Sequence, residues 1–361
     1  MHRSRAVRLA SALVVGSALC ALLAGVAGAE VSPKAPLQRL VDMGAYRFVA
    51  QGGNPVNMIA PLYKKRGLFG GIVVIATWSE LQPEPGAAIP ASNTIDRMLA
   101  AVRIYNQKFP ATPLAVKLRV WAGFEAPDWA KQLDGGPVQI QEPSNGKLRS
   151  VGRFWSASYA EAWQSFQQLL AERYDSEPLI HEVAVTSCMT LTAEPFFLAT
   201  DATTLDALHA AGFSDAAYRS CLADAVSDYA PWQSTVIEFP FNPFRSTDVQ
   251  PWQSDLAFTK SVMTACRQSL GARCVLDNHD LDYPVLSSIR PLYAFMKRLG
   301  PGIEFQTYHE TPKYWDLTIR AGVRVGASSI ELWQDYGGFP LLKSRSRLLK
   351  WSDALKANPT P

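Results

Sequence analysis

Two hydrophobic periods alternate along the chain. Short apolar runs rich in Val, Ile and aromatics recur at Tyr46–Ala50, Gly71–Thr77, Leu114–Trp121, Glu182–Cys188, Thr235–Phe239, Arg273–Asp277, Ile303–Tyr308 and Ser328–Trp333. Such near-continuous runs suit strands covered on both faces. Between them, apolar residues fall at three- and four-residue spacing, the pattern of helices with one buried face. These segments are Ile95–Lys108, Tyr159–Tyr174, Leu205–Ala210, Asp215–Tyr229, Pro251–Leu270, Val285–Leu299, Lys313–Ala321 and Leu341–Ala357. Eight strands interleaved with helices predict an α/β fold, a (β/α)8 TIM barrel. The competing arrangement is an open doubly wound sheet. Against it, no strand is followed by G-x-G-x-x-G or by a phosphate-binding G-x-x-x-x-G-K-[ST] loop.

The N-terminus reads differently. Arg3, Arg5 and Arg8 precede an apolar run from Leu9 to Val26, and Ala27-Gly28-Ala29 forms an A-x-A site before Glu30. This is the layout of a secretory signal peptide. The expected domains are therefore a signal over 1–29 and one catalytic barrel over 30–361, secreted or periplasmic, with no membrane span after cleavage. Residues 1–29 hold three Arg and no acid, so the 35 basic side chains fall to 32, level with the 32 acidic ones. A neutral chain lacks the cationic surface that nucleic acid requires. The 48% hydrophobic content excludes a disordered chain. Beyond the signal remain Cys188, Cys221, Cys266 and Cys274. An even count in an exported protein suggests two disulfides, and pairing nearest in sequence gives Cys188–Cys221 and Cys266–Cys274.

In a (β/α)8 barrel, chemistry gathers where the strands end. The predicted strand ends carry Trp78, Arg119, Trp121, Glu194, Asn242, His279, Asp280, Gln306, Glu310, Glu331 and Trp333. Trp rings at strand ends can stack on the C–H faces of a sugar. Arg, Asn, Gln, His and Asp can bond its hydroxyls. Carboxylates on separate strands supply the pair that glycoside hydrolysis needs. Glu194, followed by Pro195 and Phe196, is one candidate. Glu331, in Ser329-Ile330-Glu331-Leu332-Trp333, is the other, with an ion pair to Arg119 as its structural alternative. His279-Asp280 could form a base and its orienter. No H-x-H, H-E-x-x-H or G-x-S-x-G occurs, so neither a metal, another cofactor nor a serine nucleophile is expected.

Two segments carry a family resemblance. Trp78-Ser79-Glu80-Leu81-Gln82-Pro83-Glu84-Pro85-Gly86 resembles the W-x-x-x-x-P-x-x-G stretch after the second strand of barrel glycoside hydrolases of the β-galactosidase and xylanase type. Ala193-Glu194-Pro195 is similar to the N-E-P that carries the acid/base Glu in the large clan of retaining glycosidases. With the eight-strand spacing, the resemblance covers most of residues 40–355. It implies a retaining glycosidase with Glu194 as acid/base. The sequence departs from the pattern at two places. Ala193 stands where the clan has Asn, and the seventh strand, where the clan's nucleophile lies, reads Glu304-Phe305-Gln306. The second carboxylate is thus expected at Glu331, then Glu310, then Glu304. Trp78, Arg119, Trp121, Asn242, His279, Asp280, Gln306 and Trp333 are expected to hold the carbohydrate, and the protein to act as a monomer. The alternative is a carbohydrate-binding barrel without catalysis.

Overall fold

The computed structural model describes residues 32–43, 54–143, 145–191, 193–248, 253–309, 313–333 and 345–361. The signal segment and the predicted strand Tyr46–Ala50 lie outside the described residues, as does Glu310. Residues 33–361 form one unit.

Eight parallel strands build it: β1 (Arg39–Asp42), β2 (Phe69–Thr77), β3 (Ala115–Trp121), β4 (Ile180–Ala184), β5 (Val236–Pro240), β6 (Cys274–Asp277), β7 (Glu304–Gln306) and β8 (Ser329–Leu332). Hydrogen-bonded neighbours run β6-β5-β4-β3-β2-β1-β8-β7. Two parallel bridges, Leu276 to Ile303 and Leu281 to Thr307, join the ends β6 and β7. That join makes the sheet a nearly closed barrel and excludes the open doubly wound sheet. The barrel's first strand is thus Arg39–Asp42, upstream of the predicted one.

Around the strands lie α1 (Pro55–Ile59), α2 (Thr94–Lys108), α3 (Ala157–Tyr174), α4 (Ala202–Ala210), α5 (Asp215–Asp228), α6 (Leu256–Leu270), α7 (Arg290–Arg298), α8 (Trp315–Val325) and α9 (Arg345–Ala357). Their starts follow local chemistry. The Asn93 side chain accepts from the Ile95 and Asp96 amides to cap α2, and Asp255 does the same for Phe258 in α6. The long segment after β3 contains an unforeseen antiparallel hairpin, Val138–Gln141 against Leu148–Val151.

Alternation along each strand sorts the core. Ile72, Val74 and Ala76, or Val116, Leu118 and Val120, face the helices and join the large apolar core. The intervening residues face the barrel axis. There Leu37, Val41, Met43, Val73 and Ile75 form a small apolar cluster. The rest of the axis is ionic: Lys117, Arg119, Glu182, Glu238, Asp277, Glu304 and Glu331 are all wholly or almost wholly buried. The two disulfides are Cys188–Cys221 and Cys266–Cys274, as the spacing suggested.

Candidate active site

The ionic axis is layered. Low in the barrel, Lys117 Nζ lies 2.6 Å from Glu304, 2.9 Å from Glu331 and 3.3 Å from Glu182. Burial alone would lower the lysine's pKa, but the surrounding carboxylates hold it well above the usual lysine value. Burial and the neighbouring Glu182 raise Glu304 well above the ordinary carboxylate range. One turn of the ladder higher, Arg119 donates to Glu331 Oε1 at 2.9 Å and to Gln306 at 3.3 Å, and lies 3.8 Å from Glu238. Burial pushes Glu331 up, yet Arg119 and Lys117 outweigh it and keep it ionised.

Above this stack opens a cavity of about 450 Å³ over the C-terminal ends of β5–β8, walled by the segment that follows β4. Its lining includes Glu194, Asn242, Arg245, His279, Asp280, Gln306, Tyr308 and Trp333, with Phe196 and Phe197 from the β4 segment. Glu194 is anchored from several sides. The Cys188–Cys221 disulfide ties its segment to α5. The Thr190 hydroxyl accepts from the Ala199 amide at 2.7 Å and closes the loop. Phe196 takes the left-handed φ of +67° that a non-glycine residue rarely adopts, and is held there among Phe239, Phe241 and Phe258. Beside this segment, Gly123 has φ +54°, and a Cβ on it would collide with the Leu191 carbonyl, which also accepts from the Phe124 amide at 2.9 Å.

Both oxygens of Glu194 are engaged. Oε1 sits 3.0 Å from His279 Nδ1, and Oε2 accepts from Asn242 Nδ2 at 3.2 Å. Burial raises the Glu194 pKa, but His279 more than compensates and keeps it below the usual range. On the other ring edge, His279 Nε2 lies 2.8 Å from Asp277 and 3.8 Å from Glu238. The ring meets these carboxylates obliquely, as ion pairs rather than aligned hydrogen bonds. Burial disfavours the imidazolium, yet Glu194 and Asp277 raise His279 well above its ordinary value. Asn278 organises this rim. It donates to the Phe241 carbonyl at 2.9 Å and to Asn242 Oδ1 at 3.1 Å, and accepts from the Tyr293 hydroxyl and the Asp280 amide. Asp280 is pushed up, first by burial and then by Glu194. Glu238, Asp277 and His279 bring their ligand atoms within 4.8 Å of one another and could hold a metal ion.

Of the residues expected to bind or act, Glu194, Asn242, His279, Asp280, Gln306 and Trp333 meet at the cavity. Trp78 does not. It is fully buried, packed against Trp129, Tyr159, Trp163 and Phe166, with its indole N–H donating to Gln82. The W-x-x-x-x-P-x-x-G stretch is therefore a packed helical turn, Trp78–Leu81, followed by an exposed Pro83–Gly86, and Glu80 also accepts from the Thr94 amide at 2.8 Å at the start of α2. Arg119 and Glu331 are withdrawn into the axis, and neither lines the cavity. Glu331 is thus the ion-pair partner that its structural alternative described. Glu304 lies in the same buried stack. Trp121 is half-buried against the small axial cluster. Arg245 and Tyr308 line the cavity unforeseen. Arg245 sits past β5 on a two-residue strand, Phe244–Arg245, too short to leave a period in the sequence.

No protein-family model matches the chain, and no curated protein matches it. Solved structures do. The catalytic domain of beta-amylase from Paenibacillus polymyxa is similar over 90% of this chain and 100% of its own, with a TM-score of 0.52 and 10% identity. Endo-glycoceramidase II from Rhodococcus sp. is similar over 84% of this chain and 74% of its own, at 0.50 and 14%. The beta-galactosidase from Rahnella sp. R3 is similar over 90% of this chain and 58% of its own, at 0.50 and 14%. The likeness to barrel glycosidases is thus a likeness of fold, and with the ring of parallel strands it establishes the (β/α)8 barrel.

Proposed function

We propose that the protein is a glycoside hydrolase, exported from the cytoplasm, that cleaves a saccharide bound in the cavity over β4–β8, with Glu194 and Asp280 as its carboxylate pair. The observation that carries this reading is the convergence of two carboxyl side chains from separate loops on one cavity. That cavity also offers amides (Asn242, Gln306), a guanidinium (Arg245) and aromatic faces (Tyr308, Trp333). These are the groups that bond sugar hydroxyls and cover sugar C–H faces. The fold shared with enzymes named for sugar substrates supports it. The two disulfides support export to an oxidising compartment. Among the described residues, no helix is long and apolar enough to cross a membrane.

The roles follow from the partners of each carboxyl. Glu194 accepts from Asn242 on Oε2 and pairs with the His279 ring on Oε1. It therefore serves as the ionised carboxylate that attacks the anomeric carbon or activates water. Asp280, which lines the same cavity, protonates the departing oxygen. This exchanges the role that the clan resemblance implies for Glu194. The test is a panel of aryl glycosides and oligosaccharides. Glu194→Gln and Asp280→Asn should each lower kcat by about 10²–10⁴ while leaving the circular dichroism spectrum and melting point near those of the wild type. Full turnover in both variants would end the assignment.

One observation favours a second reading, a carbohydrate-binding barrel without catalysis. The end of β7, where the resembling clan carries its nucleophile, holds the amide Gln306. Saccharide binding by calorimetry, with no product after prolonged incubation, would select it. Absence of binding to every saccharide tested would count against both readings.

A further inference from the structure

Glu238, Asp277 and His279 stand just below the cavity, on the ends of β5 and β6. Glu238 and Asp277 are wholly buried and His279 is 4% exposed. Neither oxygen of Glu238 or Asp277 and neither ring nitrogen of His279 has an aligned hydrogen bond among the described residues. Their charged contacts run to one another, to Glu194 and to Arg119, but buried polar atoms left without an aligned hydrogen bond are rare and point to a missing ligand. From these observations we infer that Glu238, Asp277 and His279 form a binding site for one divalent transition-metal ion of the zinc, cobalt or manganese type.

The donor geometry fits such an ion. Metal–ligand distances near 2.0–2.2 Å place neighbouring donors roughly 3–3.5 Å apart. His279 Nε2 already lies 2.8 Å from Asp277 Oδ2 and 3.8 Å from Glu238 Oε1. The outer shell fits as well. Metal-binding imidazoles hand their second nitrogen to a carboxylate, which fixes the tautomer and strengthens the ligand. Here Glu194 Oε1 faces His279 Nδ1 at 3.0 Å and leaves Nε2 for the ion. One nitrogen and two carboxylates favour a first-row transition ion over Mg²⁺ or Ca²⁺, which prefer all-oxygen shells. His279 also lines the cavity, which puts the donor set next to that space, and three protein ligands would leave coordination positions for water or substrate. The site joins strand ends far apart in sequence, which is why no H-x-H motif announces it. Arg119, 3.8 Å from Glu238, and Lys117 below it are nearby cations that oppose binding.

The test uses the full chain, purified, stripped with chelator and titrated with Zn²⁺ and with Co²⁺. One ion per chain should bind at micromolar or tighter affinity. Zn²⁺ should raise the melting point, and Co²⁺ should give visible absorption bands. Glu238→Gln and His279→Ala should each weaken binding at least tenfold and remove the bands. The surface variant His309→Ala should change neither. X-ray absorption on the zinc-loaded wild type, which needs no variant to fold, should report one imidazole and otherwise oxygen donors. The inference is overturned by the absence of stoichiometric binding, by full affinity in both site variants, or by a shell holding sulfur or more than one imidazole. None of these readouts depends on glycoside hydrolysis.

Discussion

Replacing Glu331 by Gln separates a structural charge from a catalytic one. Its Oε1 receives Lys117 Nζ and Arg119 Nη2, each at 2.9 Å, and all three side chains are within 2% of complete burial. The substitution keeps volume and shape but removes the negative charge that these two buried cations share. Breaking a buried ion pair on one side costs about 3–5 kcal/mol, because the surviving charges lose their compensation. At roughly 2.1 cal/mol/K of unfolding entropy per residue, a barrel of this length loses about 1.5 °C of Tm per kcal/mol, so the midpoint should drop by about 4–7 °C. Differential scanning calorimetry and urea unfolding measure this directly. Activity towards any aryl glycoside that the wild type cleaves should stay within about threefold when measured well below the new midpoint. An unchanged midpoint with a thousandfold loss of kcat would refute this reasoning and return Glu331 to the chemistry.

Other consequences can be checked alongside. Burial raises Asp228 to about 6 although it accepts from Gln164, so the folded state takes up a proton between pH 4 and 6 that the unfolded chain has released. Stability should therefore fall as pH rises through that window, by at most about 3 kcal/mol, and Asp228→Asn should flatten the profile in urea titrations at pH 4, 5 and 7. Trp78→Ala empties a fully buried site and should cost about 3–5 kcal/mol in urea unfolding, without altering the KM of the remaining folded enzyme. Replacing Cys188 and Cys221 together by Ser opens a link between residues 33 apart in sequence and should cost roughly 3–4 kcal/mol on the chain-entropy scale. The same measurements on the purified double variant check it.

Much of this architecture is legible in the sequence because burial on both faces leaves long apolar runs. Seven of the eight strands fall where those runs lie. The first does not, since β1 spans Arg39–Asp42, with polar residues at both ends of a two-residue apolar centre. Nearest-neighbour pairing of the cysteines agrees with the two bonds. The cavity residues on β5–β8 could be named because they stand at or just past strand ends. The tryptophans were less informative. A large ring serves a core and a sugar equally well, and Trp78 serves the core while Trp333 lines the cavity. The ionic axis had left a signal that apolar runs obscure. Lys117 and Arg119 stand two apart on β3, and Glu182, Glu238, Glu304 and Glu331 each interrupt an apolar strand. Alternation puts all six on the inner face, where each needs a partner, so the set was readable as one network. Which acid then reaches solvent depends on depth along the axis, a quantity that no spacing in the sequence encodes.

Gly123 sits outside the cavity, yet its bare backbone sets how near two neighbouring segments can come. With the Leu191 carbonyl occupying the space a methyl group would need, any side chain at 123 must push the Glu194 segment outward. A mutational scan would therefore score this position as intolerant and tempt a reader to add it to the reacting groups. Its intolerance would be that of a hinge pin, whose shape matters only through the door it hangs.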